Sequence, residues 1–211
     1  MSAEAGELAI AVISNEGRRV DPPAIPTGMK VLDIGCGTGQ TLLSNCADRY
    51  SFGVDIDWSV LAAGKKLTEK VGFVCGRAEA LPFRNCTFDF AIARVSLPYT
   101  NIPISLAEIR RVLKPRAELW AVLERPSLPF HLRLYKNPRF YVFLPYLFFN
   151  TALFHCFSLS VPFLDGKYRG YQTAVGLRRA LRNSGFEEIR IVKSLHLITM
   201  ARRSDTGSMS R

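Results

Sequence analysis

Metal-ligand spacing is missing from this sequence. Its five cysteines, at 36, 46, 75, 86 and 156, form no C-x-x-C pair. Neither a zinc site nor a disulfide framework is therefore expected. Histidine is scarce, with His131, His155 and His196 the only three, and none marks a general base. Clustered carboxylates of the kind that hold a metal are also missing, so no metal is expected. No glycine turn is followed by Gly-Lys-Ser/Thr, which excludes a phosphate-cradling loop. The amino terminus, Met1 to Glu7, is acidic and lacks the basic lead and apolar core of a secretory signal. With unpaired thiols, that points to a reducing, cytoplasmic setting. No internal repeat is present.

What the chain does have is enough length for one domain with a real core, at 211 residues of which 48% are hydrophobic. The net charge of +10 is unevenly placed. Residues 1–105 carry ten Lys/Arg and eleven Asp/Glu, and residues 106–211 carry eighteen and seven. The second half is thus the basic one. It suits an anionic partner such as nucleic acid, an acidic small molecule or a lipid surface, or simply a solvated basic face.

The densest signal is Val31-Leu32-Asp33-Ile34-Gly35-Cys36-Gly37-Thr38-Gly39-Gln40. An apolar run ends in an acid and turns through glycines at alternate positions, as a buried parallel strand, a tight turn and a helix start would. Glycine there lets the main chain take positive φ and approach a ligand with no Cβ in the way. Asp33 falls at the carboxyl end of the strand, where open α/β sheets bind ligands. A second strand, Tyr50 to Val54, ends in Asp55 about twenty residues on, the spacing of a βαβ unit whose second acid holds ribose hydroxyls. Cys36 lies inside the turn, where a small residue is needed.

In these residues the chain resembles the class I methyltransferases that use S-adenosylmethionine. Gly76 to Phe83, Phe88 to Arg94, Ala107 to Pro115 and Ser184-Gly185-Phe186 resemble later family motifs in the right order. The resemblance covers about 29–125 and 172–203, and is nearest the small-molecule subgroup that includes quinone and sterol methyltransferases. It implies a Rossmann-like, doubly wound, seven-stranded α/β sheet, mostly parallel, with an antiparallel last strand and an aromatic-rich insertion after strand five. It also implies S-adenosylmethionine as cofactor and S-adenosylhomocysteine as product. Gly35, Cys36, Gly37 and Gly39 would pass under the methionine part and Asp33 would hold its amino group. Asp55, followed by Ile56, would hold the ribose, and Ala78 and Glu79 would flank the adenine. The main chain near Arg94 would close over the methionine end. The subgroup commonly carries an acid where this chain has Arg77, so the usual contact to the adenine amino group is in question.

Residues 1–28 read as an amphipathic helix over 3–15 and a proline-rich lead-in. Residues 29–125 read as the cofactor core, with strands at 29–34, 50–55, 71–75, 88–94 and 118–123 and helices at about 38–48, 58–70 and 103–113. Residues 126–171 read as a lid or substrate insertion. Residues 172–203 supply a helix capped by Thr173 and strands at 187–193 and 196–202, and 204–211 read as a disordered tail.

Phe140 to Leu164 holds no charged residue and many aromatics. Pro145 and Pro162 bracket its apolar core and Asn150 and His155 interrupt it, which argues against a span. An aromatic cover over the active site is the first reading, and a membrane-dipping or homodimer surface the second. Tyr99, His131, His155 and Tyr171 are the weak catalytic candidates, and Tyr168 could line the same pocket. The expected activity is methyl transfer to a small lipophilic or amphipathic acceptor. One alternative is a nucleic-acid N-methyltransferase, since Ser96-Leu97-Pro98-Tyr99 sits where adenine amino-methyltransferases carry a similar motif. Another is a non-catalytic cofactor-binding protein that docks on a membrane or partner.

Overall fold

The computed structural model describes residues 12–13, 20–46, 50–124, 139–194 and 196–205. Its strands are β1 (Val12–Ile13), β2 (Val20–Asp21), β3 (Val31–Ile34), β4 (Ser51–Asp55), β5 (Val71–Cys75), β6 (Phe88–Arg94), β7 (Leu113–Glu124), β8 (Phe186–Lys193) and β9 (His196–Arg203). Its helices are α1 (Gln40–Asn45), α2 (Trp58–Leu67), α3 (Ile102–Val112), α4 (Arg139–Phe157) and α5 (Ala174–Asn183), with a 3-10 turn at Leu97–Tyr99.

Seven strands form one sheet in the order β5-β4-β3-β6-β7-β9-β8. Pairings among β5, β4, β3, β6 and β7 are parallel, and β9 runs antiparallel to both its neighbours. This is the Rossmann-like α/β sheet with an antiparallel last strand. The chain winds outward from β3 through β4 to β5, then returns to place β6 on β3's other side. The crevice at the carboxyl ends of β3 and β6 is therefore the topological switch point, where open α/β sheets take their ligands.

Both faces of the sheet are covered, which explains why all four residues of β3 are buried. Leu32, Ile34, Ala91, Leu119 and Ala121 pack on one face with Leu106 and Ile109 of α3, Leu177 and Leu181 of α5, and Phe154 of α4. Val31, Phe90, Ile92, Trp120 and Val122 pack on the other with Leu42 of α1 and Leu61 of α2. The helix starts carry their expected caps. Asp57 accepts from Ser59 N on α2, Asn101 from Ile104 N on α3, and Thr173 from Gly176 N on α5.

Two expectations are corrected, and the segment after strand five takes a form the sequence left open. Val12–Ile13 pairs antiparallel with Val20–Asp21 instead of lying in a helix over 3–15; the rest of that segment, like the tail 206–211, lies outside the described residues. Strand five begins at Leu113, not Glu118. Leu113 pairs with Phe88, the ladder breaks where Arg116 takes φ +62°, and pairing resumes at Phe90 with Glu118. The chain after strand five forms α4, nineteen residues long, running straight through Pro145. Pro145 removes one helical donor, yet packing holds the helix. Phe154 lies in the core, and Gly176 of α5 comes so close that a Cβ there would stand 2.4 Å from the Phe154 carbonyl oxygen. The aromatic helix therefore lies against α5, and the segment after it turns back toward the crevice.

That return segment is stapled to α4. Buried Asn150 donates through Nδ2 to the Arg169 carbonyl (2.6 Å) and accepts at Oδ1 from Val161 N (2.9 Å). The Tyr146 hydroxyl donates to the Val161 carbonyl at 2.8 Å and accepts from Arg169 N at 3.2 Å. No helix among the described residues is long and apolar enough to cross a membrane.

Candidate functional site

The glycine turn is fastened to β4 before any ligand is considered. Gly35 N and Cys36 N both donate to the Val54 carbonyl, at 2.8 and 3.1 Å. Asp55 then clasps the turn. Its Oδ2 accepts from Gly37 N at 2.9 Å and its Oδ1 from Asp57 N at 3.0 Å. Two main-chain donors thus orient one carboxylate at the carboxyl end of β4 while leaving lone pairs for further donors.

Two glycines serve different purposes. Gly35 has φ +73°, and a Cβ on it would stand 2.4 Å from Ser96 Cβ, so it admits the loop after β6. Gly37 has φ +55°, and a Cβ there would meet no atom within 4 Å. The first closes the site on the protein, and the second faces open space. Cys36 packs over Gly53, and burial with Asp33 and Asp55 nearby pushes its thiol well up, which suits a space-filling residue rather than a nucleophile.

Asp33 is 1% exposed, and its Oδ1 has no hydrogen-bond partner among the described residues. Burial raises its pKa from 3.8 to about 7; the Arg94 guanidinium opposes the rise and Asp55 adds to it. Arg94, at the end of β6, donates from Nε to Oγ1 of buried Thr41 on α1 at 2.9 Å. The Ser96 hydroxyl donates to the Ile34 carbonyl at 2.6 Å. Asp33, Gly35, Cys36, Gly37, Asp55 and Arg94 are thereby gathered at one end of three neighbouring strands. Ile56, next to Asp55, is exposed.

A second cluster borders the first. Glu79 accepts from Asn101 N at 3.0 Å and lies 3.7 Å from Arg77 Nε. Asn101 Nδ2 donates to the Tyr168 hydroxyl at 3.1 Å, joining the return segment to the start of α3. Ala78 is buried beside Glu79. Of the catalytic candidates, Tyr99 is exposed on the 3-10 turn, and His155 Nδ1 lies 2.9 Å from Thr173 Oγ1 at the cap of α5. The Tyr171 main chain donates to Thr151 at 3.1 Å. His131 lies outside the described residues. Both His155 and Tyr171 serve the packing of α4. Sequence reasoning missed Thr41, Asn101 and the Arg94 side chain. Only the last had a signal, a cation in step with Phe90 and Ile92 on a face otherwise apolar.

These residues fit an adenosyl amino acid. An orphaned buried carboxylate oxygen suits an ammonium, the open face at Gly37 admits a ligand against the main chain, and Asp55 is held ready to accept from a diol. No group of His, Cys, Asp and Glu that could hold a metal occurs among the described residues.

Residues 32–121 match the family model described as a methyltransferase domain. An uncharacterized protein of Methanocaldococcus jannaschii is 40% identical over 100 residues, 46% of this chain and 38% of its own. A demethylmenaquinone methyltransferase of Staphylococcus aureus strain MRSA252 is 34% identical over 119 residues, 51% of this chain and 48% of its own. That of strain JH9 is 28% identical over 187 residues, 81% and 75%. The chain spans less than half the length of the first two. Among solved structures, an S-adenosylmethionine-dependent methyltransferase from Methanosarcina mazei aligns with TM-score 0.57 at 20% identity, over 86% of this chain and 95% of its own. A methyltransferase of Haloferax volcanii, described as putative and solved with the activator Trm112, aligns with TM-score 0.59 at 16% identity, over 85% and 84%. At such identities these structures speak to the fold alone. The strand order, the glycine turn with its two acids, and the methyltransferase-domain match over residues 32–121 agree, and the chain is similar to the class I S-adenosylmethionine-dependent methyltransferases.

Proposed function

We propose that this protein transfers a methyl group from S-adenosylmethionine to a small lipophilic or amphipathic acceptor. When bound, the cofactor supplies an electrophilic methyl carbon on a sulfonium. The chain's own residues position and desolvate. Asp55, aimed by Gly37 N and Asp57 N, accepts from the ribose hydroxyls. Asp33 takes the amino group, Gly35, Gly37 and Gly39 carry the main chain under the methionine part, and Ala78 and Glu79 flank the adenine. Glu79 is engaged by Asn101 N, so it shapes the adenine end through the start of α3.

The observation that carries the acceptor class is the Asn101–Tyr168 bond. It brings a return segment bearing Phe163, Tyr168 and Tyr171, whose Arg169 is paired with Asp165, to the start of α3. Similarity to demethylmenaquinone methyltransferases, whose names give a quinone as substrate, supports the same class. In the nucleic-acid reading Ser96 would receive the target amine through its lone pairs, since its hydroxyl proton is donated to the Ile34 carbonyl. The outer face of α4, with Phe148 63% and Phe149 60% exposed, is the natural contact with a lipid surface from which such an acceptor would come.

The test is transfer of labelled methyl from the cofactor into a lysate of the source cells, with Asp55→Ala as control. Label in the solvent-extractable fraction is the expected result. Label in the nucleic-acid fraction would overturn the acceptor class, and cofactor binding without transfer into any fraction would favour a non-catalytic role.

A further inference from the structure

The seven-stranded sheet ends in two edges that are built differently. β8 carries the safeguards expected of an open edge. Glu187, Glu188, Arg190 and Lys193 are exposed along it, and its pairing slips between Glu187 and Arg190, where Glu188 takes φ +50°. β5, Val71-Gly72-Phe73-Val74-Cys75, has none of these. It holds no charge and no proline, and its ladder with β4 runs without a bulge. Its main-chain groups divide by position. Gly76 N donates to the Asp55 carbonyl at 3.0 Å, so the parallel register turns the N–H and C=O of Gly72 and Val74 toward β4 and those of Val71, Phe73 and Cys75 away from it. Among the described residues no strand pairs with that outer side, and no main-chain group of Val71, Phe73 or Cys75 takes part in a hydrogen bond.

We infer that β5 is the docking edge for a second copy of this chain, the two β5 strands pairing antiparallel about a two-fold axis at Phe73. Strand addition of this kind takes its affinity from main-chain bonds. In this register Phe73 faces Phe73 and Val71 faces Cys75, so outward-turned groups meet outward-turned groups at every such pair. The flanks select a second copy over an unrelated strand. Glu69 and Arg77 stand two residues beyond opposite ends of β5. Glu69 is exposed, and Arg77 holds its side chain 63% exposed with only a 3.7 Å approach to Glu79. Centring the pair on Phe73 sets Glu69 of each copy against Arg77 of the other, once at each end, and sets Lys70 against uncharged Gly76. A slip of two residues would set Glu69 against Glu79 or Cys75 instead. A sequence that is charge-complementary to itself about the middle of an unguarded edge fits an isologous contact. Each copy's Glu69 then braces Arg77 of the other, and with it the turn that bears Ala78 and Glu79. The pairing is independent of what the site methylates.

The experiment is sedimentation velocity of the full chain at concentrations up to about 0.5 mM, with amide exchange followed by NMR at the two ends of that range. The sedimenting mass should rise toward that of two chains. The amides of Val71, Phe73 and Cys75 should gain protection as the protein is concentrated, while those of Gly72 and Val74 are protected throughout. Glu69→Arg replaces two attractive pairs by two repulsive ones and should weaken the dimer about tenfold. The double variant Glu69→Arg/Arg77→Glu reverses both charges and should restore it. A chain that stays single at every concentration overturns the inference, and so does a dimer in which the three outward amides gain no protection; neither comparison needs a variant to fold. A double variant that dimerises no better than Glu69→Arg overturns the register. A dimer that survives Glu69→Arg but is dispersed by Phe148→Glu/Phe149→Glu lies on α4 and also overturns it.

Discussion

Asp33 shows most clearly how a site residue differs from a core residue. Its folded-state pKa, about 7, lies above the 3.8 of an ordinary aspartate, so the folded protein binds the proton more tightly than the unfolded chain. Its contribution to stability is therefore largest at acid pH, declines as pH rises from about 4 to about 7, and is flat beyond. At pH 8 the folded protein holds a buried carboxylate whose Oδ1 has no hydrogen-bond partner among the described residues. Asp33→Asn removes that charge at nearly constant volume, and should raise the Tm at pH 8 by about 3–10 °C with a smaller gain at pH 4.5. It should also abolish binding of S-adenosylhomocysteine. A variant that is both more stable and unable to bind marks a residue kept for the ligand. Unchanged or lowered Tm at pH 8 would show that Asp33 is satisfied by the protein. The glycines separate in the same way. Gly35→Ala drives a Cβ into Ser96 and should destabilise by about 2–4 kcal/mol in urea unfolding. Gly37→Ala meets no protein atom, so it should cost only about 1–2 kcal/mol of backbone strain while weakening ligand binding.

At the scale of elements, the loop that follows β5 is held by a clamp from α3. Glu108 accepts from Leu81 N at 2.8 Å, and Arg111 donates to the carbonyls of Leu81 and Phe83 and to Asn85 Oδ1. Their mutual bond holds the Glu108 carboxyl below its usual range and raises Arg111. Arg111→Met should cost about 1–3 kcal/mol, read by urea unfolding, and expose the segment 77–85 to faster amide exchange. An unchanged exchange pattern would show that the loop holds its shape unaided. This clamp lies within the Ala107 to Pro115 run whose type the sequence makes recognisable. The sheet strands were legible for a similar reason: buried on both faces, they read as short apolar runs ending in turn residues. Val12–Ile13 was not legible, because a two-residue strand carries no periodicity. Nor was α4, since an apolar run with an internal proline fits strand, helix or lid equally well, and what decides is tertiary packing of Phe154 on Gly176. Asp33, Asp55 and the glycine turn stood out because backbone geometry demands those residue types. The Asn101–Tyr168 link joins residues 67 positions apart and leaves no local trace.

For the molecule as a whole, the question is what its basic half and its aromatic helix together meet. Phe148, Phe149, Phe157 and Leu164 are all more than half exposed, Leu164 at 87%, far from the behaviour of side chains in a settled core. Lys167 lies exposed beside Leu164, and Arg169 shares Asp165 in an ion pair. An apolar surface bordered by cations, within a half-chain of eighteen basic and seven acidic residues, suits the headgroup region of an anionic bilayer. We expect the protein to sediment with vesicles containing anionic phospholipid and to bind more weakly to purely zwitterionic ones. The double variant Phe148→Glu/Phe149→Glu should lose at least about tenfold in vesicle partitioning, because it removes apolar contact and adds repulsion. Binding of S-adenosylhomocysteine should be unchanged, since neither residue belongs to the Asp33 cluster. Salt separates this from nucleic-acid binding. Partitioning driven partly by apolar insertion should retain a salt-resistant component, whereas phosphate-backbone binding falls steeply with salt throughout. Undiminished vesicle binding by the double variant would move the contact elsewhere on the basic half. Association of the unmodified chain with itself, abolished by the same substitutions, would assign the face to a homodimer.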